Sequence, residues 1–302
     1  MITIKNIKHY RVLQITFYKT NTIIKNKYYV EKQIGKGKFG VVYHGKNVKT
    51  NEAIAIKTED NSTNTKILKH EATVLKYLYE HKCRNIPVIF WYGIHFNCTC
   101  IVMPLYEASL HHYVLNNELD IKKINNFIIK MIDILESIHN LYVIHRDIKP
   151  HNFMIRGGEI YLIDFGLSTF YVNENGDHKE ETMHQHIMGS PKYISVNVHN
   201  GISSSRRDDL ISIVYLYMYL YCRELPWDVV SKNNIDTTSY DELNILHYKN
   251  VYRLAQKKWE HIEEICSKIN KNLNAFAKYC YQLNYKDSPN YIALKSAFSL
   301  DA

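Results

Sequence analysis

After its first 22 or so residues the chain runs through short alternating segments. Residues 28–34, 40–46 and 53–58 are rich in β-branched and aromatic side chains, and Gly or Asn turns separate them, which predicts three strands. The period then changes. Across 66–79 the apolar positions Ile67, Leu68, Leu75 and Leu78 recur at helical spacing. Two more strands are predicted at 88–94 and 99–103, joined by a turn around Asn97. Beyond Leu110 the pattern is largely helical. Residues 121–140 place Ile124, Phe127, Ile128, Met131, Ile132, Leu135 and Ile138 on one stripe, as in an amphipathic helix packed on a core. Residues 210–221 are apolar on every side and predict a buried helix. Asp208 and Asp209 stand at its start, where carboxylates suit the positive helix end.

This order of elements predicts an α+β architecture of two lobes. A small β-rich lobe with one main helix (23–103) leads through a connector (104–108) to a larger helical lobe (109–302), leaving a cleft between them. Residues 1–22 form an N-terminal extension, and no internal repeat is visible. Hydrophobic residues make up 46% of the 302, enough for a sizeable core. The formal charge of +8 favours anionic partners. The basic residues are spread along the chain, so no motif indicates a nucleic-acid-binding arm. None of the six cysteines forms a C-x-x-C pair, which argues against zinc and fits a reducing, intracellular setting. The longest apolar run, 210–222, falls short of the roughly 20 residues that span a bilayer.

Four groups of residues carry candidate chemistry. Gly35, Gly37 and Gly40 lie between two predicted strands, where missing Cβ atoms let backbone N–H groups approach phosphate. In Ala53-Ile-Ala55-Ile-Lys57, Lys57 is a candidate phosphate ligand and needs an anion to hold it; Glu71, in the next helix, is the best candidate. The segment His145-Arg146-Asp147-Ile-Lys149-Pro-His151-Asn152 is the most specific. Asp147 would accept or orient the proton of a substrate hydroxyl, Lys149 would neutralise the moving γ-phosphoryl, and Asn152 would hold a magnesium ion. Asp164-Phe165-Gly166 adds a second hard oxygen ligand for Mg2+. Phosphoryl transfer needs in-line positioning and charge cancellation rather than covalent help, so these side chains suffice for it. His145 is read as packed rather than as a proton shuttle. His184, His186 and His199 lack companions for a metal site.

The glycines, Lys57, Glu71, Asp147, Asn152 and Asp164 stand in the order found in eukaryotic protein kinases, and residues 27–300 resemble that family. Within it, Gly189-Ser-Pro-Lys192-Tyr193-Ile-Ser195-Val-Asn197 stands where most kinases carry A-P-E. Together with Ser205-Arg206-Arg207-Asp208-Asp209-Leu210, Leu225-Pro-Trp227 and Tyr285-Lys-Asp287-Ser-Pro289-Asn-Tyr291, it resembles casein kinase I, with the vaccinia-related kinases as neighbouring relatives. The resemblance implies an ATP- and Mg2+-dependent serine/threonine protein kinase. ATP would lie under Gly35–Gly40, enclosed by Ile34, Val42, Ala55 and Met154. Pro104 to Tyr106 would form the hinge and Met103 the gatekeeper.

The resemblance further implies that Asp209 caps its helix while bonding the catalytic-loop backbone. It implies activity without phosphorylation of Thr182 beside Arg146, and protein substrates carrying an acid or phosphate on the N-terminal side of the acceptor. A monomer is expected, in cytoplasm or nucleus, and a virus-encoded kinase acting in a host cell would also suit. Four positions depart from the family: His151 replaces an Asp, Lys192 an Arg, and Asp228-Val229 a Gln-Gly pair. Lys keeps the charge at 192 but loses the two-pronged fork. A catalytically weak pseudokinase acting as a binding module is the alternative; against it, Lys57, Asp147, Asn152 and Asp164 are all present.

Overall fold

The computed structural model describes residues 20–37, 40–62, 66–184, 187–228 and 261–299. Val229 and His186, singled out above, lie outside the described residues, as does most of the N-terminal extension. Six antiparallel strands form the first sheet: β1 (Ile23–Ile24), β2 (Tyr28–Gly37), β3 (Gly40–Asn47), β4 (Ala53–Asp60), β5 (Trp91–His95) and β6 (Cys98–Pro104), in the order β1-β2-β3-β4-β6-β5. Alternation along β4 sorts its side chains by face. Ile54 and Ile56 join Tyr28, Val30, Tyr43, Cys100 and Val102 in one apolar layer. Ala55 faces the other way, with Ile101 and Met103, onto Leu68 and Ala72 of α1 (Ile67–Glu80). β6 is buried along its whole length because both of its faces are covered, which explains its unbroken apolar run. Cys98 and Cys100 are buried thiols in this sheet, neither in a disulfide, and the Cys100 thiol faces the Cys98 carbonyl.

The strand expected at 88–94 begins only at Trp91. The ladder pairs Trp91 with Val102, so extending it would bring Ile89 opposite Pro104, which has no N–H to donate.

Short elements of the second lobe frame two loops. β8 (Val143–Ile144) pairs with β11 (Thr169–Phe170), and β9 (Phe153–Arg156) pairs with β10 (Glu159–Leu162) and with β7 (Ala108–Ser109). Loop 145–152 therefore starts from β8 and ends in β9, while residues 163–168 run from β10 to β11. Ile163 N–H donates to the Asn152 carbonyl at 2.8 Å, tying one loop to the other.

Helices build the rest of this lobe: α2 (Leu110–Asn116), α3 (Ile121–Asn140), α4 (Val196–His199), α5 (Arg206–Cys222), α6 (Ile262–Ile269), α7 (Lys271–Gln282) and α8 (Tyr291–Ser299). The Asp120 carboxylate caps α3, accepting from Lys123 N–H at 2.7 Å. As its apolar circumference predicts, α5 is buried from Asp208 to Leu220. Among the described residues, no helix is long and apolar enough to cross a membrane.

Candidate active site

The alternation of β4 also aims Lys57 and Glu59 at the α1 side. Lys57 Nζ lies 2.6 Å from Glu71 Oε2 and 2.7 Å from Asp164 Oδ1. Glu71 sits on the apolar stripe of α1, where an unpaired carboxylate would be costly, so Lys57 is its necessary partner. Burial works against the Lys57 charge, but Glu71 and Asp164 outweigh it and raise the ammonium pKa. Burial pushes the Glu71 carboxyl up, against the pull of Lys57. At Asp164 burial acts upward too, but Lys57 more than reverses it, and the carboxyl stands below its ordinary value.

Sequence reasoning missed Glu59. Lys66 gives α1 no side-chain cap; instead Glu59 Oε1 and Oε2 accept from the N–H groups of Ile67 and Leu68, each at 3.1 Å. One strand thus places Lys57 and fixes the end of the helix that carries its counter-ion. Its signal was the period: Ala55, Lys57 and Glu59 share a face. Glu59→Ala should lower stability by about 0.5–2 kcal/mol, the usual value of a lost helix cap. It should also weaken ATP binding by loosening Glu71. Thermal melts and nucleotide titration check both, and an unchanged ATP affinity would separate the cap from the site.

Asp147 is the centre of the second cluster. Its Oδ2 accepts from Lys149 Nζ at 2.7 Å and Asn152 Nδ2 at 3.1 Å. Its Oδ1 accepts from the Ser190 N–H at 3.1 Å and the Ser190 hydroxyl at 2.8 Å. Lys149 also reaches Ser190 Oγ at 3.0 Å. Ser190 had no predicted role beyond its place in the Gly189–Asn197 motif, because nothing in the local sequence brings it to Asp147. Gly189 makes the approach possible. Its φ is +100°, and a Cβ there would stand 2.5 Å from the Arg146 carbonyl oxygen.

Beneath this cluster lies a buried hub. Asp209 is 2% exposed and accepts from the N–H groups of His145 at 2.7 Å and Arg146 at 2.9 Å. His139 Nε2 lies 3.1 Å from the same carboxylate. The paired backbone bonds hold Arg146 at φ 66°, a left-handed conformation that a residue with a Cβ seldom adopts unaided. Capping was expected of Asp209, but it falls to its neighbour: Asp208 Oδ2 accepts from Ser205 N–H at 2.8 Å. Successive residues on a helix point about 100° apart, so the two carboxylates cannot do the same work.

His145 is packed, as expected, edge-on to Phe165 with ring centroids 4.8 Å apart. Its Nε2–H donates to the Ile163 carbonyl at 3.1 Å and its Nδ1 accepts from Asp147 N–H at 3.3 Å. This is the bonding of a neutral imidazole, and burial lowers its pKa.

Between the lobes lies a cavity of about 360 Å³. Of the predicted nucleotide-binding residues, Ile34, Gly37, Gly40, Val42, Ala55, Lys57, Met103, Tyr106 and Met154 line it. Glu71, Asp147, Lys149 and Asp164 line it as well. Gly35 and Pro104 do not: Gly35 pairs with Val42 in the ladder, and Pro104 ends β6 opposite Ile54. Leu105 of the expected hinge and Gly166 of the Asp164-Phe165-Gly166 segment line the cavity too, as do Ile163 and Leu167, which had not been predicted. The latter two lack a chemical signature and join the site through chain geometry alone. Asn152 lies behind Asp147. Its Nδ2 is committed to the Asp147 carbonyl at 2.8 Å and to its carboxylate, which orients Oδ1 as an acceptor.

The motif residues of the second lobe also converge. Ser195 Oγ donates to Asp208 Oδ1 at 2.5 Å and Asn197 Nδ2 does so at 3.3 Å. Arg206 reaches the Lys286 carbonyl at 2.8 Å, and Arg207 stacks over Tyr285. His199 Nε2 donates to the Pro191 carbonyl at 3.1 Å, a packing role. A family model for the protein kinase domain matches residues 28–296, which take in both lobes and the cleft between them. With the buried Lys57–Glu71 pair, the Asp147 cluster and Asp164 brought to one cleft, the chain belongs to the protein kinase family.

Proposed function

We propose that this is an active serine/threonine kinase of the casein kinase I type, transferring the γ-phosphoryl of ATP to Ser or Thr hydroxyls of proteins. The convergence of Lys57, Asp164, Asp147 and Lys149 on one cavity carries this reading. Lys57, held by Glu71, offers its ammonium to phosphate oxygens. Asp147 accepts the proton of the attacking hydroxyl, and Lys149, 2.7 Å from it, offsets charge on the moving phosphoryl group. Asp164, whose side chain is 37% exposed at the cleft, and Asn152 Oδ1 are hard oxygens suited to Mg2+. When bound, the ion neutralises phosphate charge.

Casein kinase I likeness is supported by the Ser195–Asp208–Asn197 cluster, which stands where other kinases carry A-P-E. Acidic or phosphorylated protein substrates are favoured by the net charge of +8 and by Lys149 and Lys192 near Asp147. Lys192 is itself paired with Asp228 at 2.6 Å, which limits that preference. Action in the cytoplasm or nucleus, as a monomer, completes the proposal.

Incubation with ATP·Mg2+ and casein, followed by phosphoamino-acid analysis, tests it. Phosphoserine and phosphothreonine are expected. Phosphotyrosine alone would overturn the specificity, and ATP binding without transfer to any protein would point to a pseudokinase. Phosphorylation of Thr182 is not required in this reading. Its N–H already donates to Ser203 Oγ at 3.0 Å, and Arg146 Nε to the Leu167 carbonyl at 2.5 Å. Thr182→Ala should therefore change kcat by less than about twofold, as surface substitutions do. A loss greater than tenfold, or inactivation by phosphatase, would show that Arg146 awaits a phosphate.

A further inference from the structure

Next to Asp147, the chain turns tightly from Ser190 to Tyr193, with Tyr193 N–H bonded to the Ser190 carbonyl at 2.8 Å. Ser190 touches Asp147 and Lys149, so Lys192, two residues on, stands at the edge of the phosphoacceptor site. Its backbone is pinned: Lys192 C=O accepts from Nε1–H of the buried Trp227 at 2.9 Å. Its ammonium lies over the Tyr193 and Tyr219 rings, 5.7 and 5.3 Å from their centroids. It ends 2.6 Å from Asp228 Oδ2. Asp228 is equally fixed. It closes a turn in which its N–H donates to the Leu225 carbonyl and its Oδ2 accepts from Leu225 N–H, both at 2.8 Å. The two side chains are 36% and 20% exposed, so the pair is open to solvent and to substrate.

Other described groups on this rim already have partners. His151 follows Lys149 and Pro150 and stacks on His111, with centroids 4.0 Å apart. Lys149 is already engaged by Asp147. Among the described residues of this rim, Lys192 is thus a cation placed to recognise an anion, and a carboxylate of the chain itself already occupies it.

We propose that Asp228 determines substrate selectivity by standing in for the anionic flank of a substrate on Lys192. The inference rests on the kinase reading for its functional meaning, but the contact itself is testable by binding alone. A phosphorylated flank that approaches Lys192 must break the 2.6 Å pair, and it meets a fixed like charge at Asp228. A neutral flank disturbs nothing. The wild-type chain therefore discriminates little in favour of phosphorylated flanks, and removing the Asp228 charge turns Lys192 into an open anion site. Selectivity built on a repulsive element is changed by deleting that element.

The probes are two fluorescent peptides that differ only in having phosphoserine or serine on the N-terminal side of the acceptor Ser. Anisotropy titrations of the full chain compare wild type, Asp228→Asn and the double variant Lys192→Met/Asp228→Asn. Asn keeps an oxygen for Leu225 N–H, so the turn is preserved. Asp228→Asn should bind the phosphopeptide about tenfold more tightly, within the range seen for close charge pairs, and bind the serine twin as before. The gain should vanish in the double variant. Equal phosphopeptide affinity in wild type and Asp228→Asn would overturn the proposal, as would a gain that survives without Lys192. Should Asp228→Asn melt well below wild type, Asp228→Ser decides instead, since its hydroxyl can accept from Leu225 N–H without a charge. The same gain of about tenfold for the phosphopeptide is expected and should vanish when Lys192→Met is added, and an unchanged phosphopeptide affinity would overturn the proposal. Failure of phosphoryl transfer would overturn the kinase reading without altering these binding outcomes.

Discussion

Asp147→Asn is expected to lower kcat for phosphoryl transfer by about 10²–10⁴-fold, the contribution of a positioned general base. The carboxylate accepts four hydrogen bonds, from Lys149, Asn152 and both donors of Ser190. Asn supplies one oxygen and one NH2 group. Whichever way it turns, the NH2 faces a donor, either the Lys149 ammonium or Ser190. The variant thus loses the proposed proton acceptor and also disturbs Lys149, proposed to offset phosphoryl charge. ATP binding should change little, because the Lys57–Glu71 pair stands on separate elements. Steady-state kinetics on casein and a nucleotide titration together check the claim. Retention of more than a tenth of wild-type kcat would remove Asp147 from the chemistry, and a parallel loss of ATP affinity would show collapse of the cleft instead.

Asp209→Ala is expected to lower unfolding free energy by about 3–5 kcal/mol, the range for breaking a buried charged network from one side. Three donors, His145 N–H, Arg146 N–H and His139, would be left buried without their acceptor. Arg146 would lose the bonds that hold it at φ 66°, so the loop carrying Asp147 should loosen even in folded molecules. Urea denaturation measures the first effect, and kcat in the folded fraction the second. A loss below about 1 kcal/mol would mean that solvent or a neighbour replaces the carboxylate.

The same residue shapes the acid limb of stability. Burial acts to raise its pKa, but His139 and His145 more than reverse this, and the folded-state value is lowered. A depressed carboxyl stabilises the fold fully above its unfolded pKa of about 3.9 and loses that contribution as pH falls through the folded value. Wild type should therefore lose stability more steeply than Asp209→Asn below about pH 4. Parallel curves would contradict this.

Legibility in the sequence followed the range of the forces involved. Periodicity located β2, β3, β4, α1, α3 and α5 because each must bury one face, or all faces, whatever its neighbours are. Residues whose chemistry is intrinsic, such as Lys57, Asp147 and Asp164, could be named from order and type. Glu59 could have been found from the β4 alternation, but only once α1 was known to lie across that face. The limit of the 88–94 strand was hidden because it depends on a proline in a different strand.

By itself, then, the sequence determined the two-lobed α+β order, the Gly-rich hairpin, the Lys57–Glu71 pairing and the candidate residues Asp147, Lys149, Asn152 and Asp164, since local period and residue chemistry encode all of these. Tertiary structure alone decided the contacts between segments far apart in the chain. It gave Asp208 to the helix cap and Asp209 to the catalytic loop, because a 100° step around α5 sends adjacent carboxylates to different neighbours. It brought Ser190 to Asp147 across a separation of 43 residues. It also closed Lys192 onto Asp228, 36 residues apart, turning two isolated departures from a family pattern into one ion pair. Such pairings depend on where packing brings distant backbone segments together, and no local pattern in the chain records that.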